Sequence, residues 1–360
     1  MKIPFISKNK NGVKKSKARE WLDALIFAFV ASSIIRGLLF SAFAIPSGSM
    51  ERSLLTGDYL FVSKVAYGPR MPMTPLAIPF MEAKVGDHNT FWDGVKLPYY
   101  RLPGFSTVKK GDPVVFNYPM ESEKPIDMRT HFIKRCQGTP GDVLTIVNSQ
   151  VYINGKAFAA AEKMQTSYTV TTDGTKINPK VFDDMHIEVR GQTGENQFEM
   201  IIPRENVAVL KSYSNVKAIV PVIAAKGEYN PEVFPHDPRF KWNEDNFGPL
   251  IVPAKGYTIP LNDSTLALYS RCITVYEGNK LEHVGNDILI NDHKADTYTF
   301  KQNYYWMMGD NRHNSEDSRF WGFVPDDHIV GKAAITWMSI DSTKSFLDKI
   351  RWNRIMRLIH

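Results

Sequence analysis

The sequence predicts a mainly β protein, with one N-terminal transmembrane helix followed by a mostly antiparallel β body. Three observations carry that prediction. An apolar segment follows a basic leader near the N-terminus. Short runs rich in Val, Tyr and Phe, closed by turn residues, dominate what comes after it. Strand-like and helical runs do not alternate, as a parallel sheet would require. With 360 residues, 43% of them hydrophobic, the chain can build one large domain or two modest ones.

Residues 1–20 carry seven Lys/Arg and one Glu, a net of +6. Residues 344–360 form a basic tail of net +4, whose charge suits anionic lipid. The body between holds 32 basic against 36 acidic side chains, which argues against nucleic acid as a partner. Residues 21–44 are the predicted anchor: "ALIFAFVASSII" (24–35) is uncharged, and apolar character resumes after Arg36. As a helix, Trp21 to Ala44 would reach about 36 Å. Lys8, Lys10, Lys14, Lys15, Lys17 and Arg19 favour a cytoplasmic N-terminus, with the body beyond the inner membrane on its outer, periplasmic side. Arg36 lies in the outer half, within snorkelling reach of the headgroups. A buried core helix would leave the basic cluster without purpose. A cleaved signal peptide, suggested by "AFA" at 42–44, fits poorly with a 20-residue charged leader and an internal arginine. A retained anchor is the preferred reading.

Along the body, "DYLFVSKVAYG" (58–68), "DPVVFNYP" (112–119), "LALYSRCITVYEG" (266–278) and "DTYTFKQNYYWMMGD" (296–310) are predicted strands. Asn154-Gly155 and Asp173-Gly174 are two-residue hairpin signals. "GPRMPMTPLAIPF" (68–80), with four prolines, is a loop. It is either packed on the body or part of an apolar rim resting on a bilayer, with Phe91, Trp92, Tyr99 and Tyr100. Residues 160–260 include "GEYNPEVFPHDPRFKWNEDNFGP" (227–249), which has the look of a surface excursion. Cys136 and Cys272 lie in no CxxC pattern, so one disulfide and two separate thiols both fit. The histidines show no paired metal spacing, and no metal or cofactor is inferred.

The chemistry concentrates in "FAIPSGSMERSLL" (43–55), where Ser47, Ser49 and Ser53 crowd together. A serine attacks only when a base takes its proton, and a second hydroxyl could meet the oxyanion. Alone the run is weak, because most Ser-Gly-Ser stretches are solvated turns. A Ser-His-Asp arrangement stays open, although no GxSxG elbow is present. A lysine stripped of water is the other candidate base: Lys134 in "HFIKRCQGTPGD" or Lys64 in "LFVSKVAYG". Either could equally be a strand lysine facing solvent. The polar loop "GDNRHNSEDSRFWGFVP" (309–325) leads into an apolar run, a pattern that supports a site.

Three segments, in this order, resemble bacterial type I signal peptidase: "IPSGSMERSLLTGDYLFVSKVAYG", "KKGDPVVFNYP…HFIKRCQGTPGD" and "YWMMGDNRHNSEDSRFWGFVPDDHIVGKA". These are membrane-bound Ser-Lys proteases that remove signal peptides from exported proteins. The resemblance implies Ser49 as nucleophile and Lys134 as general base, leaving Lys64 a structural role. It implies an oxyanion hole from the Ser47 hydroxyl and the Ser49 backbone N–H, and a hydrogen bond from Ser315 to Lys134. Arg135, Asp310, Asp317 and Arg319 resemble the supporting polar framework. Phe43, Ile45, Met50, Leu54, Val115, Phe132 and Ile133 would line shallow pockets for an Ala-x-Ala motif, which makes "AFA" a candidate self-cleavage site. The implied architecture is a catalytic core (45–159 and 261–343) with a variable cap (160–260). Preproteins and membrane lipid are the implied partners, and secretion machinery fits as a further one. His313 stands where the family commonly has aspartate. A Ser-Lys protease devoted to self-processing, and a tethered β domain that binds exported peptides without cutting them, are the alternatives.

Overall fold

The computed structural model describes residues 16–359 apart from Glu82, Ala160, Glu162 and Asn286, so Lys8, Lys10, Lys14 and Lys15 of the leader lie outside the described residues. Helix α1, Lys17–Ile34, is capped by the Ser16 hydroxyl, and no residue of it is buried. A wider π turn, Ile35–Leu39, extends it to 23 residues, long and apolar enough to cross a membrane. The helix does not run to Ala44 as expected. Phe40–Ala44 leaves it as strand β1 and pairs with β2, Asp58–Ser63. Gly37 weakens the helix at this point, and the β2 ladder gives the following backbone the partners that a helix end lacks. The stretch Ala42–Ala44 therefore sits inside a ladder, with Ala42 opposite Phe61 and Ala44 opposite Tyr59.

The body follows as β3 (Pro113–Asn117), β4 (His131–Gly138), β5 (Val143–Val147), β6 (Gln150–Ile153) and β7 (Gln165–Thr172). Next come β8 (Glu188–Gly194), β9 (Gln197–Pro203), β10 (Val216–Pro221), β11 (Phe247–Ile251) and helix α2 (Asp263–Arg271). The chain closes with β12 (Tyr304–Met308), β13 (Val324–Pro325), β14 (Ile329–Ser339) and β15 (Arg357–Leu358). The main antiparallel sheet runs β1-β2-β14-β3-β4-β12-β13, with β15 on β14. A separate sheet orders β8-β9-β7-β10, and β11 pairs with the β5–β6 hairpin. Every residue of β3 is buried because both its faces are covered. Val114 and Phe116 pack with Cys136 and Met307 on one face, while Val115 packs with Ile45, Met50 and Leu54 on the other.

Asn154-Gly155 forms its predicted tight turn, both residues at positive φ (52° and 76°). Asp173-Gly174 does not: it ends β7, whose neighbours are β9 and β10. A helix start follows instead of a returning strand, with Asn178 capping and Pro179 in the first turn of Pro179–Met185. "LALYSR" is likewise helix rather than strand. Asn262 and Thr265 close a capping box ahead of α2, and Leu266, Tyr269, Cys272 and Ile273 bury one side at helical spacing. The supposed surface excursion contributes Val233, Phe234 and Phe247 to the largest core, beside Trp306 and Phe323. The tail forms short turns and β15, and its Arg354 is buried in a two-bond pair with Asp58. Both cysteines are buried free thiols.

Candidate active site

Ser47 ends an extended segment, and a short turn, Gly48–Met50, follows. Met50, the last residue of that turn, and Leu54 beyond it plunge into the core, and the Leu54 N–H donates to the Met50 carbonyl. Apolar burial thus fixes the turn while Ser49 stays half-buried at its crest. Lys134, on β4, is 4% exposed, and its Nζ lies 2.7 Å from Ser49 Oγ. Burial lowers its pKa to about 8; the nearby carboxylates of Asp317 and Glu316 pull the other way, and Arg319 adds to the lowering. The Phe132 ring face lies 5.3 Å from the same nitrogen. A lysine that gives up its proton this readily can accept one from the hydroxyl it touches.

Lys64 is brought to about 8 as well, by burial first and then by Arg70 and Arg36. Its Nζ, however, donates to the Gly37 carbonyl at 3.1 Å, at the base of α1. Of the two lysines left open by residue chemistry, the fold sets only Lys134 against a serine.

The polar loop after β12 clamps the serine turn from the other side. Asn311 donates its backbone N–H to the Ser49 carbonyl (3.1 Å) and its side-chain amide to the Gly48 carbonyl (3.1 Å). Gly309 is required by contact: a Cβ there would stand 2.2 Å from Ser315 Oγ and 2.6 Å from the Ser49 carbonyl oxygen. Two buried bidentate ion pairs hold this loop, Arg135–Asp310 (2.8 and 2.7 Å) and Arg319–Asp317 (2.9 and 2.8 Å). Burial alone would raise the Asp317 pKa, but Arg319 and the Gly309 N–H outweigh it, and the carboxyl stays below its ordinary range. Asn311 and Gly309 were not singled out as site residues in the sequence. Their signal was the density of the polar loop, which does not say which member touches the serine.

Other predicted residues distribute unevenly. Phe43, Ile45, Met50, Leu54, Val115 and Ile133 share one cluster, whereas Phe132 belongs to the neighbouring one and stacks on Tyr118 at 4.3 Å. Met50, Leu54 and Val115 are closed off from solvent, so they form a floor rather than a wall. The Ser47 side chain is exposed and does not cap the turn it precedes. Ser315 departs from expectation: its Oγ is buried and makes no hydrogen bond among the described residues, neither to Lys134 nor elsewhere. It lies beside Gly309 instead, filling the space that a side chain there would need.

His313 takes a structural post. The Ser167 N–H donates to its Nδ1 (3.1 Å), which leaves Nε2 to donate to Asp245 (3.0 Å). Asp245 also accepts from the Ser149 hydroxyl and from the Ala224 N–H (3.0 Å). Gln165 adds two backbone bonds to the same loop, donating to the Asp310 carbonyl (3.1 Å) and accepting from the Arg312 N–H (3.0 Å). The β8-β9-β7-β10 sheet is thereby tied to the loop that holds Ser49.

On this antiparallel β body a serine hydroxyl is seated against a buried lysine of lowered pKa, an arrangement chemically suited to a serine hydrolase. The sequence profile of the family described as "Signal peptidase, peptidase S26" matches residues 18–215 and 253–338. A Signal peptidase I of Buchnera aphidicola subsp. Schizaphis graminum is 30% identical, over 90% of this chain and 76% of its own length. Signal peptidase I of Pseudomonas fluorescens is 25% identical over 85% of this chain and 67% of its own length. That of Haemophilus influenzae is 24% identical over 91% and 71%. The chain belongs to the S26 signal peptidase family, and its exposed apolar helix marks it as membrane-anchored.

Proposed function

We propose that this serine endopeptidase removes signal peptides from exported preproteins by Ser49 attack with Lys134 as general base. Neutral Lys134 takes the Ser49 proton as Oγ adds to the scissile carbonyl. The Ser49 backbone N–H and the Ser47 hydroxyl meet the oxyanion. Lys134 then passes the proton to the departing amine, and water, activated by the same base, hydrolyses the acyl-enzyme. The observation that carries this reading is the 2.7 Å contact between Ser49 Oγ and the buried Lys134 Nζ. With its pKa near 8, about a tenth of Lys134 is neutral at pH 7. An ordinary lysine would be neutral roughly once in two thousand molecules.

Only the rims of Phe43, Phe132 and Ile133 emerge over a closed apolar floor, which suits methyl-sized side chains and supports an Ala-x-Ala preference. Strand β1 is an edge of the main sheet, open to an added substrate strand. In this reading residues 45–159 and 261–343 form the catalytic core and 160–260 the cap. The chain crosses the cytoplasmic membrane once, N-terminus inside, so that the site meets the emerging signal peptide at the outer lipid surface, near the secretion machinery. The test is preprotein cleavage in detergent–lipid micelles. Wild type and Lys64→Ala should cut after a small-x-small site while Ser49→Ala and Lys134→Ala do not. An inactive Lys64→Ala with an active Lys134→Ala would move the base to Lys64. A wild type that binds but never cuts would make the chain a tethered binding module.

A further inference from the structure

Where α1 meets the body, three cations gather and their described polar contacts all go to neutral groups. Lys64 donates to the Gly37 carbonyl (3.1 Å). Arg36, next to that glycine, lays its guanidinium over the Phe80 ring at 5.2 Å. Arg70 donates to the Asp327 carbonyl (2.6 Å) and to the Asn117 side chain (2.7 Å). Asp127 and Asp327 lie near Arg70, but the charges that reach Lys64 are the two arginines. Like charges held together, Lys64 and Arg70 half-buried and Arg36 exposed, repel one another unless an anion joins them.

Depth says which anion is at hand. Arg36 lies one turn from the end of the apolar helix, about 5 Å, at the level of the headgroups on the body's side. Beside it, residues 71–81 carry no charge and expose Leu76, Ile78, Phe80 and Met81. The Phe80 ring packs edge-on against Phe29 of α1 at 5.8 Å, so this loop runs alongside the membrane-spanning helix. Its backbone is supplied from within, Ile78 N–H to the Thr90 carbonyl (2.8 Å) and Trp92 N–H to the Leu76 carbonyl (2.9 Å), as an apolar layer demands.

We propose that this junction seats one anionic phospholipid of the leaflet on the body's side, its phosphate among Arg36, Lys64 and Arg70 and its acyl chains on Leu76–Met81. The proposal rests on α1 spanning the bilayer. The full chain is reconstituted into nanodiscs of mixed phosphatidylcholine and phosphatidylglycerol, and the lipids retained are weighed by native mass spectrometry. Wild type should keep phosphatidylglycerol in preference to phosphatidylcholine. Removing charge in Arg36→Gln and Lys64→Gln should weaken that preference about five-fold each, and the two together should nearly abolish it. Preprotein cleavage by the variants in detergent reports that they are folded. Equal retention of the two lipids by wild type, a result that needs no variant, overturns the proposal, as does a folded double variant with undiminished preference. Competition by inorganic phosphate in detergent shows whether the seat takes any phosphate; binding of phosphate without lipid selectivity rejects the phospholipid. A chain that never enters nanodiscs refutes the membrane-spanning reading itself, a different failure from the loss of selectivity.

Discussion

Lys134, buried on β4, and Lys64, half-buried just past the end of β2, have pKa values that fall to about the same place, near 8, and mainly for the same reason, burial. One touches a serine hydroxyl at 2.7 Å, the other a backbone carbonyl at 3.1 Å. The first contact can pass a proton to the lysine; the second can only receive a hydrogen bond from it. A depressed pKa therefore marks a desolvated lysine and not a base. The base is identified by what faces it.

The sharpest way to break the comparison is to remove each lysine in turn. Lys134→Ala is expected to lower kcat/KM for a preprotein by about 10⁴-fold or more, as loss of a proton-transfer partner does in serine hydrolases. Lys64→Ala is expected to stay within a few-fold of wild type. Comparable losses in both would show that the shared pKa, and not the serine contact, governs activity.

The next effect concerns the serine and not the lysine. Asn311 holds the carbonyls of Gly48 and Ser49, a support for which the Lys64 site has no counterpart. Asn311→Ala should release the turn by a fraction of an ångström and lower kcat about 10- to 100-fold, with KM little changed. A rise in KM at constant kcat would mean that Asn311 serves substrate binding instead.

How much of this was legible beforehand follows the same division. The serine turn, the lysine and the polar loop were visible as residue types in apolar settings, and β2, β3 and β12 as short runs of Val, Tyr and Phe. Residue chemistry could not rank Lys134 over Lys64, because both sit in apolar strand context; resemblance ranked them, and the distances now separate them. Helix α2 was hidden because its run continues into the Ile, Thr, Val and Tyr of residues 273–276, although the Asn262–Thr265 capping box stood in plain view. Ser315 shows the limit in the other direction: its hydroxyl is buried beside Gly309 without a hydrogen bond among the described residues, a placement that no one-dimensional pattern encodes.

The third test uses pH. With neutral Lys134 as the proposed working form, kcat/KM should climb about ten-fold per pH unit below 8 and level off above it. Lys64→Ala should leave that inflection where it is. An inflection that moves with Lys64 would couple the two sites and end the contrast between them.

The smallest effect is on stability. Burial holds Lys134 below the value near 10.4 that it has when unfolded. Between about pH 8 and 10.4 the unfolded chain binds the extra proton, so stability rises with pH across that window. Below it the native state carries the full penalty, up to about 3 kcal/mol. Lys134→Met removes the charge at similar volume. It should raise the melting temperature by a few degrees at pH 7, the gain reduced by the lost Ser49 hydrogen bond, worth about 1 kcal/mol. The gain should shrink as pH approaches 10.4. Lys64→Met should gain less, since the Gly37 carbonyl loses its donor and Lys64 is the more exposed of the two. An inactive Lys134→Met no more stable than wild type at pH 7 would mean that burial is not what lowers the Lys134 pKa, and the contrast between the lysines would need a different physical origin.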